Sequence, residues 1–600
     1  MSGTTDGIDL TTLSTWKKWG FVVWLALTVT LGTWGYMDYS LAHAEPITWA
    51  TAAYHTLQLF ILHAPHFEGH LPPALEVARW SAALGSGGVL VGVAIRKYEQ
   101  LVTRVSVQRA SGHVVVCGLG RKGLDCVEHE HRKGKAHRRD VVVVDHAPPP
   151  AHVRRCEELG VFVITGDATN PAALREAGVE RASMLFALCP SDNTNCDIAV
   201  KAAELLSHGE PRHTPLNCIV HVSDLGLRES LQKFSAESVD GSRISLRYFD
   251  LFDVEARRLL LSDLPIDHDG ISFEETRRPH LVLLGFGRMG RAVALRAAKV
   301  GHFANACRDP LLRLKISVVD RAATAGEEDL LYRYPQFRAA CDLQVREDNV
   351  ESPDVMEQIE RWICDPEAIT CLVVCLDDEK QVAALAARLI PKLRNTSTRV
   401  ALRLSHRRGL ASVMDLARRH YSAAAIRPFG MIEDGICHTA FDEDEREKRA
   451  EAFHTEFVRT RKPERESTDP AMRPWRSLAE DLRESNRQHS DHVQIKLRAI
   501  GCEVVAFEDP RPAITVFSEG ADGAGEVQIL AQMEHNRWNA ERWLAGWTYA
   551  PGERNIQKRT SPYLASWSEL TEKVRGWDKD AVRAIPRLLE VSGRKACRKG

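Results

Sequence analysis

The sequence predicts an α/β protein with two tandem Rossmann-like, doubly wound domains, which follow a two-helix, pore-like membrane module and precede a small α-helical domain. Three observations predict this order. An apolar run that leads into a GxGxxG glycine pattern occurs twice, at residues 113–123 and 280–290. Apolar stretches at residues 19–37 and 75–95 come before the first run, and a tryptophan-rich helical segment, residues 527–592, comes last.

Length and charge fit a multidomain protein that does not bind nucleic acid. Six hundred residues favour several domains, and a formal net charge of −2 gives no long-range attraction for polyanions. Cys371 and Cys375 lie in an apolar run without zinc-site spacing, so no metal is predicted. The predicted segments are a disordered N-terminus (1–18), a membrane domain (19–97), a linker (98–110), a first Rossmann domain (111–265), a second Rossmann-like domain (275–435), a helical linker region (436–526) and the small helical domain (527–592).

The first apolar stretch, residues 19–37, has no charged side chain and is long enough to cross a bilayer as a helix. A secretory signal peptide is the alternative, but the run is longer than a typical h-region and no small-residue cleavage site follows it. The second stretch, residues 75–95, carries charges only near its start. Because Lys17–Lys18 and Arg96–Lys97 flank the pair, the positive-inside rule predicts two spans in the inner (cytoplasmic) membrane with both termini in the cytoplasm.

Between the predicted spans, residues 47–62 form a shorter apolar segment, which predicts a re-entrant or interfacial helix. This order of helices resembles that of two-helix, ligand-gated potassium channels. Those channels continue with a TVGYG-like filter loop, whereas this chain has His63–His70 at that place. A conducting pore and a non-conducting membrane anchor therefore both stay open.

The first glycine motif follows an apolar strand and opens a predicted helix. Gly118 permits a tight turn, Gly120 lets the backbone approach a pyrophosphate, and Gly123 permits close packing of the helix on the strand. The N-terminus of that helix offers N–H groups and a positive dipole end to phosphates. The predicted phosphate-binding loop comprises Gly118, Leu119, Gly120, Arg121 and Gly123.

The following predicted strands end in polar residues. Residues 139–145 form an apolar run that ends in a carboxylate about 20 residues past the glycines, where an acid typically binds ribose hydroxyls. Residues 161–169 and 184–188 predict the third and fourth strands. The candidate nucleotide-binding residues after the loop are Asp145, His146, Asp167, Ala168 and Asn195.

This pattern resembles the Trk-type N-terminal (TrkA-N) domain, also called the regulator of potassium conductance (RCK) domain, over roughly residues 111–265. The resemblance implies NAD(H) or an adenine nucleotide as a regulatory ligand rather than a hydride donor. It also implies a homo-oligomer, a tetramer by analogy with the family. The residues that carry it are Gly118, Gly120, Gly123, Asp145, Gly166–Thr169 and Asp192–Asn195.

The second glycine motif repeats the first, with Gly285, Gly287 and Gly290 followed by a strand that ends in Asp320. The repeat resembles a second domain of the same class, as in proteins with tandem RCK units. The third strand of the first unit is followed by Gly166–Thr169, the sequence GDAT (the GDAT box). The third strand of the second unit ends in Arg346–Asn349 instead. Nucleotide binding and a purely structural role both stay open for this unit.

The C-terminal segment is rich in tryptophan and in charges of both signs. A predicted helix there places aromatic rings beside acidic and basic groups, a combination that can stack a base and pair a phosphate with arginine. The alternative is that these tryptophans form the core of a small domain. The candidate ligand-pocket residues are Glu534, Arg537, Trp538, Arg542, Trp547 and Tyr549.

This segment resembles the RyR domain, the repeat unit of ryanodine receptors, which implies a second, nucleotide-like input. The residues that carry the resemblance are Glu534, Trp538, Gly546–Trp547, Tyr549, Pro562, Leu570 and Trp577–Asp578. Before it, residues 442–449 are densely charged and predict a solvated helix face or a linker.

Three hypotheses of function follow. The first is a nucleotide-regulated membrane channel or channel-like effector for potassium or another cation, gated by the Rossmann domains. The second is a non-conducting, membrane-anchored nucleotide sensor in a stress or defence response that acts through the RyR segment. The third, an NAD-dependent oxidoreductase, lacks a recognisable catalytic segment after either glycine loop, so no enzyme is predicted.

Overall fold

The computed structural model divides the chain into two compact units, Met1–Arg109 and Ala110–Gly600. The residues that the structure describes are 15–61, 63, 67, 69–86, 110–137, 140–207, 214–224, 226–228, 230–231, 243–404, 426–430, 432–461, 469–520 and 525–599.

The first unit contains three described helices, α1 (Thr15–Ala42), α2 (Trp49–Leu59) and α3 (73–86). Its α1 begins before the predicted start at residue 19, and α2 is the predicted short helix. The predicted second span is helical over residues 75–86, and its remainder, residues 87–95, lies outside the described residues, as do residues 1–14 and nearly all of the linker. Within the described part of the chain, no helix is both long and apolar enough to cross a membrane.

Glycines bring these helices into close contact. A Cβ on Gly85 would lie 2.1 Å from the ring of Trp24, and a Cβ on Gly32 would lie 2.4 Å from the side chain of Thr56. The indole of Trp24 also donates a hydrogen bond to Ser81 Oγ at 3.0 Å. Gly85 therefore permits close packing of α3 on α1.

The second unit contains two parallel sheets and a helical C-terminal part. Its strands are β1 (Val114–Cys117), β2 (Val141–Asp145), β3 (Phe162–Thr165), β4 (Met184–Ala187), β5 (Leu216–His221), β6 (Ile244–Phe249), β7 (Arg278–Leu284), β8 (Lys315–Asp320), β9 (Asp342–Glu347), β10 (Ala368–Val374), β11 (Arg399–Arg403), β12 (Ile426–Phe429), β13 (Cys502–Ala506), β14 (Thr548–Tyr549), β15 (Thr560–Ser561) and β16 (Arg594–Arg598).

The helices of this unit connect the strands and form its C-terminal part. They are α4 (Arg121–His137), α5 (Pro150–Leu159), α6 (Pro171–Glu176), α7 (Asp192–Ser207), α8 (Leu251–Arg258), α9 (Arg288–Val300), α10 (Asn305–Arg308), α11 (Ala323–Arg333), α12 (Phe337–Ala340), α13 (Pro353–Ile363), α14 (Glu379–Leu389), α15 (Ile432–Arg461), α16 (Glu480–Ala499), α17 (Glu526–Leu544), α18 (Glu572–Arg583) and α19 (Ile585–Glu590).

The first sheet has the strand order β3-β2-β1-β4-β5-β6, with every pairing parallel. Its central strand β1 is buried along its whole length, as expected for a parallel sheet covered by helices on both faces. The strand order reverses direction between β1 and β4. In sheets of this kind ligands bind at that point, outside the carboxyl ends of the strands.

The second sheet repeats the same order as β9-β8-β7-β10-β11-β12, again with every pairing parallel. The prediction of two Rossmann-like parallel sheets is therefore confirmed. The two sheets share one topology, and each carries its glycine loop after its first strand in the chain.

The C-terminal part is built on α15, α16 and α17. The 30-residue α15 packs against α4, α8 and α16, so it connects the first Rossmann sheet with the C-terminal helices. The prediction of a solvated face for residues 442–449 is wrong at Arg446, which is 5% exposed. Its guanidinium is buried because it pairs with the carboxylate of Asp491 on α16, at 2.8 Å.

Candidate functional site

The first glycine loop lies between β1 and α4 at the carboxyl edge of its sheet. Gly118 has a φ of +97°, and a Cβ on it would lie 2.9 Å from the backbone nitrogen of Cys189. A Cβ on Gly123 would lie 1.8 Å from the carbonyl oxygen of Gly118. A Cβ on Gly120 would meet no atom within 4 Å among the described residues. Two glycines therefore shape the loop, and the third leaves the space that a pyrophosphate needs.

Asp145, at the end of β2, anchors this loop. Its Oδ2 accepts a hydrogen bond from the Leu119 N–H at 2.6 Å, and its Oδ1 accepts one from the Ala147 N–H at 2.8 Å. A carboxylate oxygen has two acceptor positions, so each oxygen can still accept a ribose hydroxyl. Beside it, the imidazole of His146 is 81% exposed, at the rim of the site. Arg121, in the first turn of α4, is also exposed.

The GDAT box is attached to the same edge. The Gly166 N–H donates to the Asp145 carbonyl oxygen at 3.0 Å. Asp167 accepts hydrogen bonds from the Thr169 N–H at 2.9 Å and from its hydroxyl at 2.8 Å, and these bonds lower the pKa of Asp167. Asp167 is thus an ionised, exposed side chain beside the loop, whereas Ala168 is buried.

Asn195 is placed close to the loop, but its amide is used within the protein. Its Oδ1 accepts from the Cys189 N–H at 2.8 Å, and its Nδ2 donates to the carbonyl oxygens of Cys189 and His221. The side chain is fully buried. Asn195 therefore connects the ends of β4 and β5. It supports the site from the protein interior, with its amide bonded to the backbone.

Two further residues of the site, Lys122 and His221, were not singled out in the sequence. Lys122 Nζ lies 3.1 Å from His221 Nε2, at the start of α4. Burial, and then the charge of Lys122, lowers the pKa of His221 to about 4, so its neutral imidazole accepts the hydrogen bond. Lys122 lies within the glycine motif, between Gly120 and Gly123, so the motif itself could have indicated it as a residue of the site. Its partner His221 is 99 residues further along the chain, and no sequence pattern indicates that contact.

The second loop repeats the geometry of the first. Gly285 has a φ of +101°, a Cβ on Gly290 would lie 2.1 Å from the Gly285 oxygen, and Gly287 again has open space around it among the described residues. Asp320 accepts from the Phe286 N–H and from the Ala322 N–H, both at 2.7 Å. These are the same two backbone bonds that Asp145 makes.

The end of β9 differs from the GDAT box of the first sheet. Arg346 pairs with Asp348 at 2.6 Å, and Glu347 accepts a hydrogen bond from the Thr324 N–H at 3.0 Å, at the start of α11. Arg321 donates to the Asn349 side chain at 3.1 Å. Each of these side chains is thus bonded within the protein.

The charges of the C-terminal candidate pocket are paired with one another. Arg537 donates to Glu534 at 2.8 Å and to Glu541 at 2.7 Å, and Lys496 Nζ lies 2.5 Å from Glu534. All four residues are buried. Arg537 therefore pairs with two carboxylates of the protein, and its guanidinium is not available to bind a phosphate.

The structure brings four of the six predicted pocket residues to one cavity of about 220 Å³: Glu534, Arg537, Trp538 and Arg542. Trp547 and Tyr549 are not among its lining residues. Trp547 is buried between the guanidinium groups of Arg542 and Arg554, whose Cζ atoms lie 5.5 and 4.8 Å from its ring centre. Tyr549 is 59% exposed. Within the described part of the chain, no group of three His, Cys, Asp or Glu side chains is arranged to hold a metal ion.

Comparisons with known proteins identify two segments of the chain. Residues 114–239 match the model of the TrkA-N domain, and residues 524–595 match that of the RyR domain. A curated relative from Methanothermus fervidus, described only as an uncharacterized protein, is 29% identical over 122 residues. That match covers 20% of this chain and 18% of the relative.

Solved structures of GsuK are also similar to the chain. GsuK bound to ADP is 14% identical with a TM-score of 0.34, over 71% of this chain and 96% of that one. The GsuK channel bound to NAD is 13% identical with a TM-score of 0.35, over 71% and 82% of the two chains. The GsuK RCK domain is 14% identical, with a TM-score of 0.34, over 55% and 75%.

Proposed function

We propose that this chain is a nucleotide-responsive regulatory protein whose first Rossmann sheet binds NAD(H) or an adenine nucleotide as a signal. The observation that carries the proposal is the first glycine loop, in which Asp145 fixes the loop backbone while Gly120 leaves open space beside it. This loop lies in the segment that matches the TrkA-N domain.

The geometry supports a defined place for each part of such a ligand. The pyrophosphate would lie over Gly120 and the N-terminus of α4, where N–H groups and the helix dipole favour negative charge. Lys122 adds a cation in the first turn of that helix. The ribose would lie at Asp145, and the ordered Asp167 would border the site from the end of β3.

Calorimetric titration of the full-length chain with NAD, NADH, ADP and ATP tests this function. We expect saturable binding of at least one of them, and loss of that binding in Gly120→Val. A Cβ there meets no atom within 4 Å among the described residues, so the side chain would extend from the loop into the space proposed for the ligand, and the variant should keep the wild-type unfolding temperature. Binding of none of the four nucleotides, or wild-type affinity in Gly120→Val, would contradict the proposal.

We further propose that the first unit places this sensor at the inner membrane, as a homo-oligomer that acts as a nucleotide-gated channel or channel-like effector. Exposed large apolar side chains support this proposal, because water is an unfavourable surrounding for them. They occur on all three helices of the unit and in the turn after α2, and include Trp19, Trp34, Trp49, Ile61, Trp80 and Leu84, each at least 63% exposed.

A flux assay separates gating from recruitment of a partner. Liposomes that contain the full-length chain and are loaded with potassium should lose it at a rate that changes when the nucleotide bound by the wild type is added. The rate for Gly120→Val should not change with that nucleotide. Membrane association without flux under any nucleotide would support the non-conducting sensor instead. Recovery of the chain in the aqueous fraction of cells would contradict both forms.

A further inference from the structure

The cavity of about 220 Å³ among the C-terminal helices has walls from two parts of the sequence. Trp538, Arg542 and Trp577 come from the segment that matches the RyR domain, on α17 and α18. Phe453 and Phe457 come from α15, outside that segment, and α16 contributes further lining residues. The cavity therefore exists only where the RyR-like segment and the preceding helices are packed together.

Aromatic rings form much of its wall. Trp577 packs edge to face with Tyr563, with ring centres 5.3 Å apart, and the guanidinium of Arg461 lies 5.0 Å from the Trp577 ring centre. Phe453 stacks on His489 at 4.3 Å. Flat rings and a flat guanidinium favour a flat aromatic occupant.

Three lining residues carry buried polar atoms for which the described residues offer no hydrogen-bond partner: Trp577 Nε1, Arg542 Nε and His489 Nε2. Arg542 is 4% exposed. His489 Nδ1 lies 3.3 Å from Glu534, and burial lowers the pKa of His489 to about 3, so the ring is neutral and its Nε2 is an acceptor. The residues of the cavity wall thus carry two donors and one acceptor, and an occupant that pairs with them must offer both complements.

The charged residues around the cavity do not indicate a binding site for an anion. Its acidic lining residues are each paired: Glu534 with Arg537 and Lys496, Asp578 with His535 at 3.3 Å, Asp580 with Arg583 at 3.1 Å, and Glu456 with Arg459 at 2.7 Å. Arg537 and Arg542 both bond Glu541. Because Arg537 and Arg542 already have a carboxylate partner, a polyphosphate would find little unpaired positive charge at these two residues.

We infer that this cavity is a binding site for an uncharged, planar heteroaromatic ligand of nucleobase or nucleoside size, whose ring edge offers both hydrogen-bond donors and acceptors. The ring stacks against the aromatic wall, and its edge meets Trp577, Arg542 and His489. The site is separate from the glycine loops and does not depend on the function proposed for them.

Calorimetry with adenosine, guanosine and cytidine tests the site in full-length Gly120→Val/Gly287→Val, which closes both glycine loops. We expect at least one nucleoside to bind with one site per chain. Adding Trp577→Phe, which keeps the ring wall but removes the N–H, should weaken that binding about tenfold, the effect of one lost buried hydrogen bond.

Trp567→Phe is the matched control. Trp567 Nε1 is also buried without a partner among the described residues, but Trp567 does not line the cavity. The control should bind as the parent does, and equal unfolding temperatures of the two variants would exclude a folding effect. The inference is overturned if no nucleoside binds the double-glycine variant, or if Trp577→Phe leaves the affinity unchanged.

Discussion

At the residue scale, Gly123 and Gly120 differ although both belong to one motif. The space for a Cβ at Gly123 is taken by the Gly118 carbonyl oxygen at 1.8 Å, whereas Gly120 borders open space. Gly123→Ala should therefore force α4 away from β1 and destabilise the unit by about 2 kcal/mol or more, the scale of an overpacked core.

Urea unfolding of Gly123→Ala beside Gly120→Ala measures this difference. Gly120→Ala should unfold at nearly the wild-type urea concentration. Equal stability of the two variants would show that the loop can relax around a methyl group at Gly123, and would contradict the role assigned to this glycine.

The loop residues could be predicted from the sequence because their chemistry is local. Gly118, Gly120, Gly123 and the carboxylate of Asp145 stand at fixed spacing, and the structure assembles them at one sheet edge. The pairing of Lys496 with Glu534, 38 residues away, and the inward bonds of Asn195 depend on which groups become neighbours after folding. Spacing alone does not reveal whether such a side chain is already bonded within the protein.

At the scale of elements, Asp491 of α16 joins several helices. It accepts hydrogen bonds from Arg446 of α15 and, at 3.2 Å, from Arg296 of α9, and Arg257 of α8 lies 3.8 Å away. These four side chains are buried. Asp491 thus links the glycine-loop helix of the second sheet with the C-terminal helices.

Asp491→Asn should cost about 3–5 kcal/mol in the free energy of unfolding, because it removes the buried negative charge shared by Arg446 and Arg296, whose other carboxylate partners, Glu484 and Asp253, are less buried. The control is Asp329→Asn, which removes a partly exposed partner of Arg291 and should cost at most about 1 kcal/mol. Chemical denaturation of both variants measures the difference, and similar losses would show that the buried cluster adds no stability.

Strand prediction also depended on position in the sheet. Apolar runs predicted β1–β4 and β7–β9, but no run predicted β6 or β12, each of which is the edge strand at one side of its sheet. Four of the six residues of β6 are only half buried. An edge strand is covered less completely than a central one, so its sequence lacks the continuous apolar run that marks β1.

At the scale of the whole molecule, buried neutral histidines make the stability depend on pH. Burial lowers the pKa of His221 to about 4, of His280 to about 3 and of His302 to about 4. The unfolded chain, with pKa values near 6.5, then binds more protons than the folded chain between about pH 4 and pH 6.5. Their contribution to stability is complete above about pH 6.5 and is lost as the pH falls.

The free energy of unfolding should therefore be lower at pH 5 than at pH 7.5, by about 1–2 kcal/mol for each such histidine. Urea titrations of the full-length chain at the two pH values measure this difference. His280→Gln removes one of these groups and should make the pH dependence less steep. Greater stability at pH 5 than at pH 7.5 would contradict the assignment.

Helix α15 has a consequence for signalling. Its 30 residues extend for about 45 Å, it packs against the helix that opens at the first glycine loop, and its Phe453 and Phe457 border the C-terminal cavity. Because α15 contacts both sites, a ligand that moves this helix when it binds at one site would change the affinity of the other site. By thermodynamic linkage, each ligand would then change the dissociation constant of the other by the same factor. The response of the protein would depend on both ligands together.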